Sequence, residues 1–190
     1  MIILVLTVLV SIAGLFSRAV IEKAVLRPYV LAQGRDYATL LTSGFVHADV
    51  GHLLFNLITY YSFAFPLERA MGELRFEVLY FTGLLVSNLG TTIKHRNEPN
   101  YASLGASGAI LAVLFAAIVY FPHQRLIFLF FPIPIPAPMF AVIYLVYSYW
   151  SATRARGRIN HDAHIFGALT GLAFAAITAP DRFRDLLHSF

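Results

Sequence analysis

Four polar side chains lie where the sequence predicts apolar helices, and their types suit the hydrolysis of an acyl bond. Ser107 begins one predicted helix, and His164 lies about one turn inside another. His52 and Asn56 are four residues apart, so they share one face of a third helix. An imidazole can take the proton of a serine hydroxyl and so create a nucleophile. The other two side chains can donate hydrogen bonds to the oxyanion that forms when this nucleophile attacks.

Each of these residues also has an ordinary structural interpretation. Serine is among the preferred residues at a helix N-terminus, where it caps free backbone N–H groups. His52 and Asn56 are equally suited to hydrogen bonds between helices, and His164 to a buried histidine whose bonds are satisfied. For each residue taken alone, the structural interpretation is the more common one.

The composition around these residues is that of a membrane protein. Of 190 residues, 58% are hydrophobic and 13% are charged, and the mean hydropathy is +0.70. Soluble domains are near half apolar and a quarter charged. We therefore predict an all-α membrane protein with a single domain of six transmembrane helices over residues 1–180 and a short amphipathic tail over residues 181–190. The net charge of +4 is spread over short loops, which suits a lipid bilayer rather than nucleic acid.

The six predicted helices are separated by short polar connectors. Their bounds are about 1–24, 51–65, 76–93, 107–121, 139–151 and 160–179. The first has no basic residue before it and is long enough to span, so we predict a retained helix rather than a signal peptide. The second is predicted to end near Pro66. Prolines at 132, 134, 136 and 138 favour an extended, polyproline-II-like path for residues 122–138, at the membrane interface or against protein. A basic turn before the sixth helix contains Arg154, Arg156, Gly157 and Arg158.

The order of the helices places the four polar residues in one leaflet. Helices two, four and six are each entered from an odd-numbered connector, and in a six-helix chain these connectors lie on one side of the membrane. Helix four has about 15 residues and a length of ~22 Å, less than the ~30 Å hydrocarbon core. Ser107 is therefore expected below the surface, in a loop that is buried in protein or lines a water-filled cavity, and hydrolysis would need the cavity. The convergence of all four residues favours catalysis over four separate structural roles.

Small residues permit two of these helices to meet. Gly167 and Gly171 form a G-x-x-x-G motif on helix six, and Gly105 and Gly108 lie on either side of Ser107. Such residues allow close approach of membrane helices, so the serine hydroxyl can reach the imidazole. The same motif is common where helices merely pack.

Other hydrolytic chemistries are not supported. The sequence has no H-E-x-x-H zinc motif and no paired aspartates in a predicted helix, and the serine does not lie in a G-x-S-x-G elbow. Asp162 is two residues before His164 and faces another side of the helix, so it is not predicted to orient the imidazole. His47, His52 and His161 lack the tight spacing and carboxylate partner of a metal site. We predict no metal and no cofactor.

Four short motifs occur in order along the chain. They are HADVGHLLFN at 47–56, ERAMG at 68–72, GASG at 105–108 and AHIFG at 163–167. Each is weak alone, but in this order on helices two, four and six the chain resembles the rhomboid family of intramembrane serine proteases over essentially its whole length. The resemblance implies a six-helix bundle without a cofactor. It also implies substrates that are single-span membrane proteins, cut in or beside helices that small residues make easy to unwind.

The resemblance implies a role for each site residue. These are the nucleophile Ser107, the general base His164, the oxyanion-binding pair His52 and Asn56, and a histidine that braces the first loop, His47. Many family members carry an aromatic residue one turn after the serine, stacked on the histidine. Here this residue is Leu111, so another group must orient His164.

Two indicators of membrane orientation disagree. The odd-numbered connectors contain Arg18, Lys23, Arg27, Arg35, Lys94, Arg96, Arg154, Arg156 and Arg158, whereas the even-numbered connectors and the tail contain Arg69, Arg75, Arg125, Arg182 and Arg184. The positive-inside rule would place the catalytic face in the cytoplasm, whereas the resemblance implies the extracytoplasmic side. We adopt the second, and predict an integral multi-pass protein of the cell (inner) membrane.

Two other functions are alternatives to proteolysis. A catalytically inactive rhomboid-like protein that binds membrane clients would typically lack the serine or the histidine, and this chain has both. A small transporter would need polar residues across both leaflets. In this sequence the far halves of helices two, four and six are nearly all apolar.

Overall fold

The computed structural model describes residues 2–128, 131–154 and 160–189, and it is mostly helical. Its helices are α1 (Ile2–Phe16), α2 (Arg18–Ala24), α3 (Pro28–Ala32), α4 (Thr39–Thr42), a 3-10 helix (Ser43–Phe45), α5 (Val50–Met71), α6 (Glu73–His95), α7 (Ser107–Tyr120), α8 (Ala137–Thr153), α9 (His161–Thr178) and α10 (Pro180–His188). An antiparallel hairpin of β1 (Arg125–Phe128) and β2 (Phe131–Pro136) lies between α7 and α8. Outside the described residues lie both chain ends, Met1 and Phe190, and most of the predicted basic turn, namely Arg156, Gly157 and Arg158.

α7 is the central helix of the fold. Residues 108–120 are all buried, and α5, α6 and α9 pack around them. The sequence of α7 is apolar on every side, and a helix of this kind is stable only when other elements surround it. Its first residue, Ser107, lies at the end of the fold where α5 and α9 also begin.

The predicted first helix is two helices. Ser17 separates α1 from α2 with an extended backbone, at φ −135° and ψ 105°. Beyond this break, Ile21 packs over Gly14, where an added Cβ would lie 2.9 Å from the Ile21 Cδ1 atom. The prediction of one continuous helix over residues 1–24 is therefore wrong. The backbone is extended at Ser17, and the absence of a side chain at Gly14 makes room for Ile21 beyond the break.

α5 continues through Pro66 to Met71, so the predicted end near Pro66 is wrong. A proline removes one hydrogen bond and can kink a helix without ending it when the surroundings hold the chain. The helix ends instead at Gly72, whose φ of +90° is a conformation that glycine adopts readily. The Gly72 N–H donates to the Glu68 carbonyl at 2.8 Å, and α6 begins at the next residue.

The predicted connector over residues 122–138 contains a hairpin of residues 125–128 and 131–136 rather than a polyproline path. Pro138 already belongs to the first turn of α8, where a proline is tolerated, so its predicted place in the connector is wrong. Leu126 pairs with Ile135, and Arg125 pairs with Pro136. Successive residues of a strand direct their N–H groups to opposite edges, so the prolines at 132, 134 and 136 share one edge. The Ala137 N–H, next to Pro136, donates to the Gln124 carbonyl at 3.0 Å, so the nitrogen of Pro136 is directed away from β1 and no bond is lost there. The hairpin is a small addition to a helical fold, which agrees with the predicted all-α class.

The number of membrane spans is not confirmed. Among the described helices, α6 alone is long and apolar enough to cross a bilayer, and α9 with α10 adds a second span only if the two are counted together despite a bend of 116°. α1 and α7 are apolar but have 15 and 14 residues, fewer than the ~20 that span a bilayer of ordinary thickness.

Candidate active site

Ser107 and His164 are hydrogen-bonded to each other. Ser107 is the first residue of α7, and His164 lies in the first turn of α9. The Ser107 Oγ atom lies 2.9 Å from His164 Nε2, an ordinary distance for a hydroxyl and an imidazole nitrogen. The capping position of α7 is occupied by Ala106. The serine hydroxyl therefore faces the histidine instead of capping its own helix.

Glycines bring α7 and α9 together beside this pair. A Cβ added at Gly167 would overlap the carbonyl oxygen of Gly108 and lie 2.9 Å from its carbonyl carbon. A Cβ added at Gly171 would lie 2.9 Å from the Ala112 Cα atom. The main chains of the two helices thus touch directly. Gly108 follows the serine in the chain and Gly167 is three residues after the histidine, so this contact controls the distance between hydroxyl and imidazole.

His47 joins three segments at the same end of the fold. Its Nε2 atom accepts from Asn56 Nδ2 at 2.7 Å and from the Ala106 N–H at 3.4 Å. Its Nδ1 atom lies 2.7 Å from Ser11 Oγ, and the Ser11 hydroxyl donates to the Phe45 carbonyl at 2.9 Å. Since Nε2 accepts, Nδ1 carries the proton.

The His47 side chain is completely buried in the loop before α5. Burial, reinforced by the nearby His52, lowers the pKa of His47 to about 3. The ring is therefore neutral at physiological pH and keeps Nε2 free to accept. His47 therefore holds these segments together through hydrogen bonds, whereas a general base must gain and lose a proton.

His52 and Asn56 both lie next to the loop that leads to the serine. A Cβ added at Gly105 would lie 2.6 Å from His52 Cε1, and Gly105 has a φ of +114° that favours glycine. Asn56 is buried, and one of its two amide hydrogens is used on His47. The second amide hydrogen is the one that Asn56 can offer to another acceptor.

Asn160 fixes the start of α9. Its Oδ1 atom accepts from the Ala163 N–H at 3.0 Å, which caps the helix. Its Nδ2 atom donates to Ser103 Oγ at 2.8 Å and to Thr91 Oγ1 at 3.0 Å. These bonds tie the first turn of α9 both to α6 and to the loop before Ser107.

An ionic cluster, in which Asp162 and His95 are buried and Lys94 is exposed, holds the same turn of α9 against the end of α6. The Asp162 carboxylate lies 2.6 Å from Lys94 Nζ and 3.0 Å from His95 Nε2. His95 stacks on Tyr101 with ring centroids 3.7 Å apart, and burial, with Asp162 adding to it, raises the pKa of Tyr101 to about 12. The carboxylate is thus engaged with α6 rather than with His164.

Tyr144 of α8 is a site residue that the sequence analysis missed. Its Oη atom lies 2.9 Å from Nδ1 of His164, the ring nitrogen opposite the one that faces Ser107. It is thus in contact with the imidazole that Leu111, which is not aromatic, cannot stack on. The one signal available in the sequence was the absence of that aromatic residue, which indicates that a partner exists but not where it lies.

The site combines a hydroxyl, an imidazole bonded to it, and the N-terminal N–H groups of α7. Such groups can carry out acyl transfer without a metal. Within the described ranges, no group of three or more His, Cys, Asp or Glu side chains is placed to hold a metal ion.

Comparisons with known proteins agree with the sequence motifs. A family model described as the Rhomboid domain matches residues 34–181. RHOMBOID-like protein 12, mitochondrial, of Arabidopsis thaliana is 30% identical over 161 residues, which is 77% of this chain and 48% of that protein. Rhomboid protein 1, mitochondrial, of Saccharomyces cerevisiae is 29% identical over 160 residues, 78% of this chain and 45% of that protein.

This chain spans about half the length of these two mitochondrial relatives. It covers a larger share of a bacterial relative. YdcA of Bacillus subtilis, named as an inferred rhomboid protease, is 31% identical over 152 residues, 77% of this chain and 71% of YdcA. The family model alone covers well over half of the chain. The predicted family is therefore confirmed, and the chain belongs to the rhomboid family.

Proposed function

We propose that this protein is an intramembrane serine endopeptidase that cleaves transmembrane protein substrates with a dyad of Ser107 and His164. The observation that carries this proposal is the 2.9 Å contact between Ser107 Oγ and His164 Nε2. These residues come from different helices, and direct main-chain contact between α7 and α9 holds them together. The likeness to YdcA, which is named as an inferred rhomboid protease, gives further support.

The dyad would act through an acyl-enzyme. Nε2 of His164 takes the Ser107 proton as Oγ attacks the carbonyl carbon of the peptide bond. The resulting oxyanion accepts hydrogen bonds from the N–H of Ser107 and from His52 and Asn56. The imidazolium then protonates the leaving amine, the C–N bond breaks, and an ester with the serine remains. The same imidazole takes a proton from water, which hydrolyses the ester and regenerates the hydroxyl.

The contacts of His52 and Asn56 support their assignment to the oxyanion. His52 packs against Gly105, and Asn56 is linked through His47 to the N–H of Ala106. Both side chains thus contact the two residues that precede the serine, directly or through one histidine.

We expect Ser107→Ala to lower cleavage of a single-span model substrate by ~10³-fold or more, because the nucleophile is lost. The assay uses purified full-length protein in lipid nanodiscs and detects the product by mass. Ser62→Ala is the matched control, since its hydroxyl is exposed and bonded to the Ile58 carbonyl of its own helix. Undiminished cleavage by Ser107→Ala would refute the proposal. A wild-type protein that retains substrate without cutting it would favour the client-binding alternative.

We also propose six membrane spans in the cell (inner) membrane, with the site open to the extracytoplasmic side. Because the chain has no cysteine, a single introduced cysteine reports orientation. We expect Asn97→Cys, in an exposed loop at the end of α6 near the site, to react with an impermeant maleimide in intact cells. Glu73→Cys, exposed at the opposite end of α6, is expected to react only after lysis. The reverse pattern would place the site in the cytoplasm.

A further inference from the structure

Tyr144 is the second hydrogen-bond partner of His164. Its Oη atom lies 2.9 Å from Nδ1, while Ser107 Oγ lies 2.9 Å from Nε2. Ser107, His164 and Tyr144 therefore form a hydrogen-bonded chain that connects α7, α9 and α8. The Tyr144 ring is itself packed between Phe115 and Phe140, with ring centroids 5.8 and 5.5 Å away.

The two nitrogens of a neutral imidazole have opposite hydrogen-bond roles, because only one of them carries a proton. For Nε2 to accept the serine proton, Nδ1 must be the protonated nitrogen. An oxygen acceptor placed at Nδ1 stabilises this tautomer and fixes the plane of the ring. A phenol oxygen can accept this bond without a charge, which avoids the cost of a carboxylate in an apolar interior.

We propose that Tyr144 is a positioning residue that accepts a hydrogen bond from Nδ1–H of His164 and so fixes the tautomer needed by the base. This inference rests on the proposed function. The bond is expected to strengthen when the imidazole becomes cationic during acylation, because a charged donor makes a bond about twice as strong as a neutral one. The site thus has a tyrosine hydroxyl where many serine hydrolases have a carboxylate.

Other titratable side chains also face the imidazole, and they differ from Tyr144 in geometry. The ring of His161 meets it edge to face, with centroids 5.9 Å apart, and His52 of α5 interacts with it electrostatically. Tyr147, three residues after Tyr144 on α8, contacts His161 instead, with centroids 5.6 Å apart. Tyr147 is therefore a matched control for the loss of a tyrosine hydroxyl near this histidine pair.

The first test is Tyr144→Phe, assayed as full-length protein in nanodiscs with a single-span substrate. We expect kcat to fall ~10- to ~100-fold, the value of one hydrogen bond to a charged group, with KM unchanged. Tyr147→Phe is expected to match the wild type in both constants. The proposed function is tested separately: it holds if the wild type cleaves the substrate and Ser107→Ala does not. A failure of the proposed function is thus distinguished from a failure of the inference about Tyr144. A wild-type kcat in Tyr144→Phe, or a fall in kcat accompanied by a rise in KM, would overturn the inference.

The second test does not depend on cleavage. Nitrogen-15 NMR of labelled histidine distinguishes the two imidazole tautomers, and the His164 signal is identified by its loss in His164→Asn. We expect the Nδ1–H tautomer in the wild type and in Tyr147→Phe, and a mixture with Nε2–H in Tyr144→Phe. An unchanged tautomer in Tyr144→Phe would overturn the inference even if kcat falls, since the tyrosine would then act only on packing.

Discussion

Replacing His164 with alanine is expected to lower substrate cleavage by ~10³-fold or more, close to the effect of replacing Ser107 itself. A serine hydroxyl without a neighbouring base is a weak nucleophile at neutral pH. The imidazole that accepts its proton in this site is bonded to it at 2.9 Å. Initial rates with a single-span substrate in nanodiscs measure the loss. A fluorophosphonate probe is expected to label Ser107 in the wild type and to label the His164→Ala variant far more slowly.

His123→Ala serves as the control for the loss of an imidazole. His123 is exposed in the turn after α7, at the end of that helix away from Ser107. It is expected to keep wild-type cleavage and wild-type labelling. Rapid labelling of Ser107 in the His164→Ala variant would show that another group takes the proton, and the dyad would then be wrong.

Replacing Gly167 with alanine is expected to lower cleavage by ~10²-fold, although this residue does not touch a substrate. The new Cβ would overlap the carbonyl oxygen of Gly108, and main-chain atoms cannot move away as the end of a side chain can. α7 and α9 must then separate, and a displacement of ~1 Å between reacting groups can cost ~10²-fold in rate. Overpacking of this kind also costs ~1–3 kcal/mol of stability, so the thermal unfolding midpoint should fall.

Ala173→Val is the matched control on the same helix. Ala173 lies on the exposed side of α9, so its variant adds apolar volume without entering the contact with α7. Cleavage and unfolding temperature are expected to stay near those of the wild type. If Gly167→Ala kept full activity, the close approach of α7 and α9 would not be what holds Ser107 against His164.

The sequence revealed the proposed reacting groups because polar side chains are costly in membrane helices and therefore stand out. Helix order also fixed which end of each helix they occupy. Order does not fix the rotation of a helix about its own axis. α8 contains Tyr144, Tyr147 and Tyr149, and only packing determines that the first of them faces His164.

The local departures from the predicted helices depend on single contacts that a pattern does not encode. The break at Ser17 depends on the packing of Ile21 over Gly14. α5 continues beyond Pro66 although the proline lacks the N–H of one helical hydrogen bond. The packing of the residues before and after it keeps the chain helical. The prolines of the hairpin excluded a helix, but the sequence did not show that residues 125–128 would pair with them.

Three helices begin near the site, and they differ in how their first N–H groups are satisfied. α5 is capped by Asp49 and α9 by Asn160, whereas α7 begins after Ala106, which has no group that can cap. A capping side chain is worth ~1 kcal/mol to a helix. The chain thus forgoes stability in its most buried helix, at the one end where a side-chain cap would occupy donors that the proposed oxyanion needs. Ala106 is itself buried with a helical backbone, at φ −76° and ψ −1°, whereas a capping side chain needs an extended backbone. The packing of this residue therefore keeps a side-chain cap away from the donors, which stay available to the proposed oxyanion.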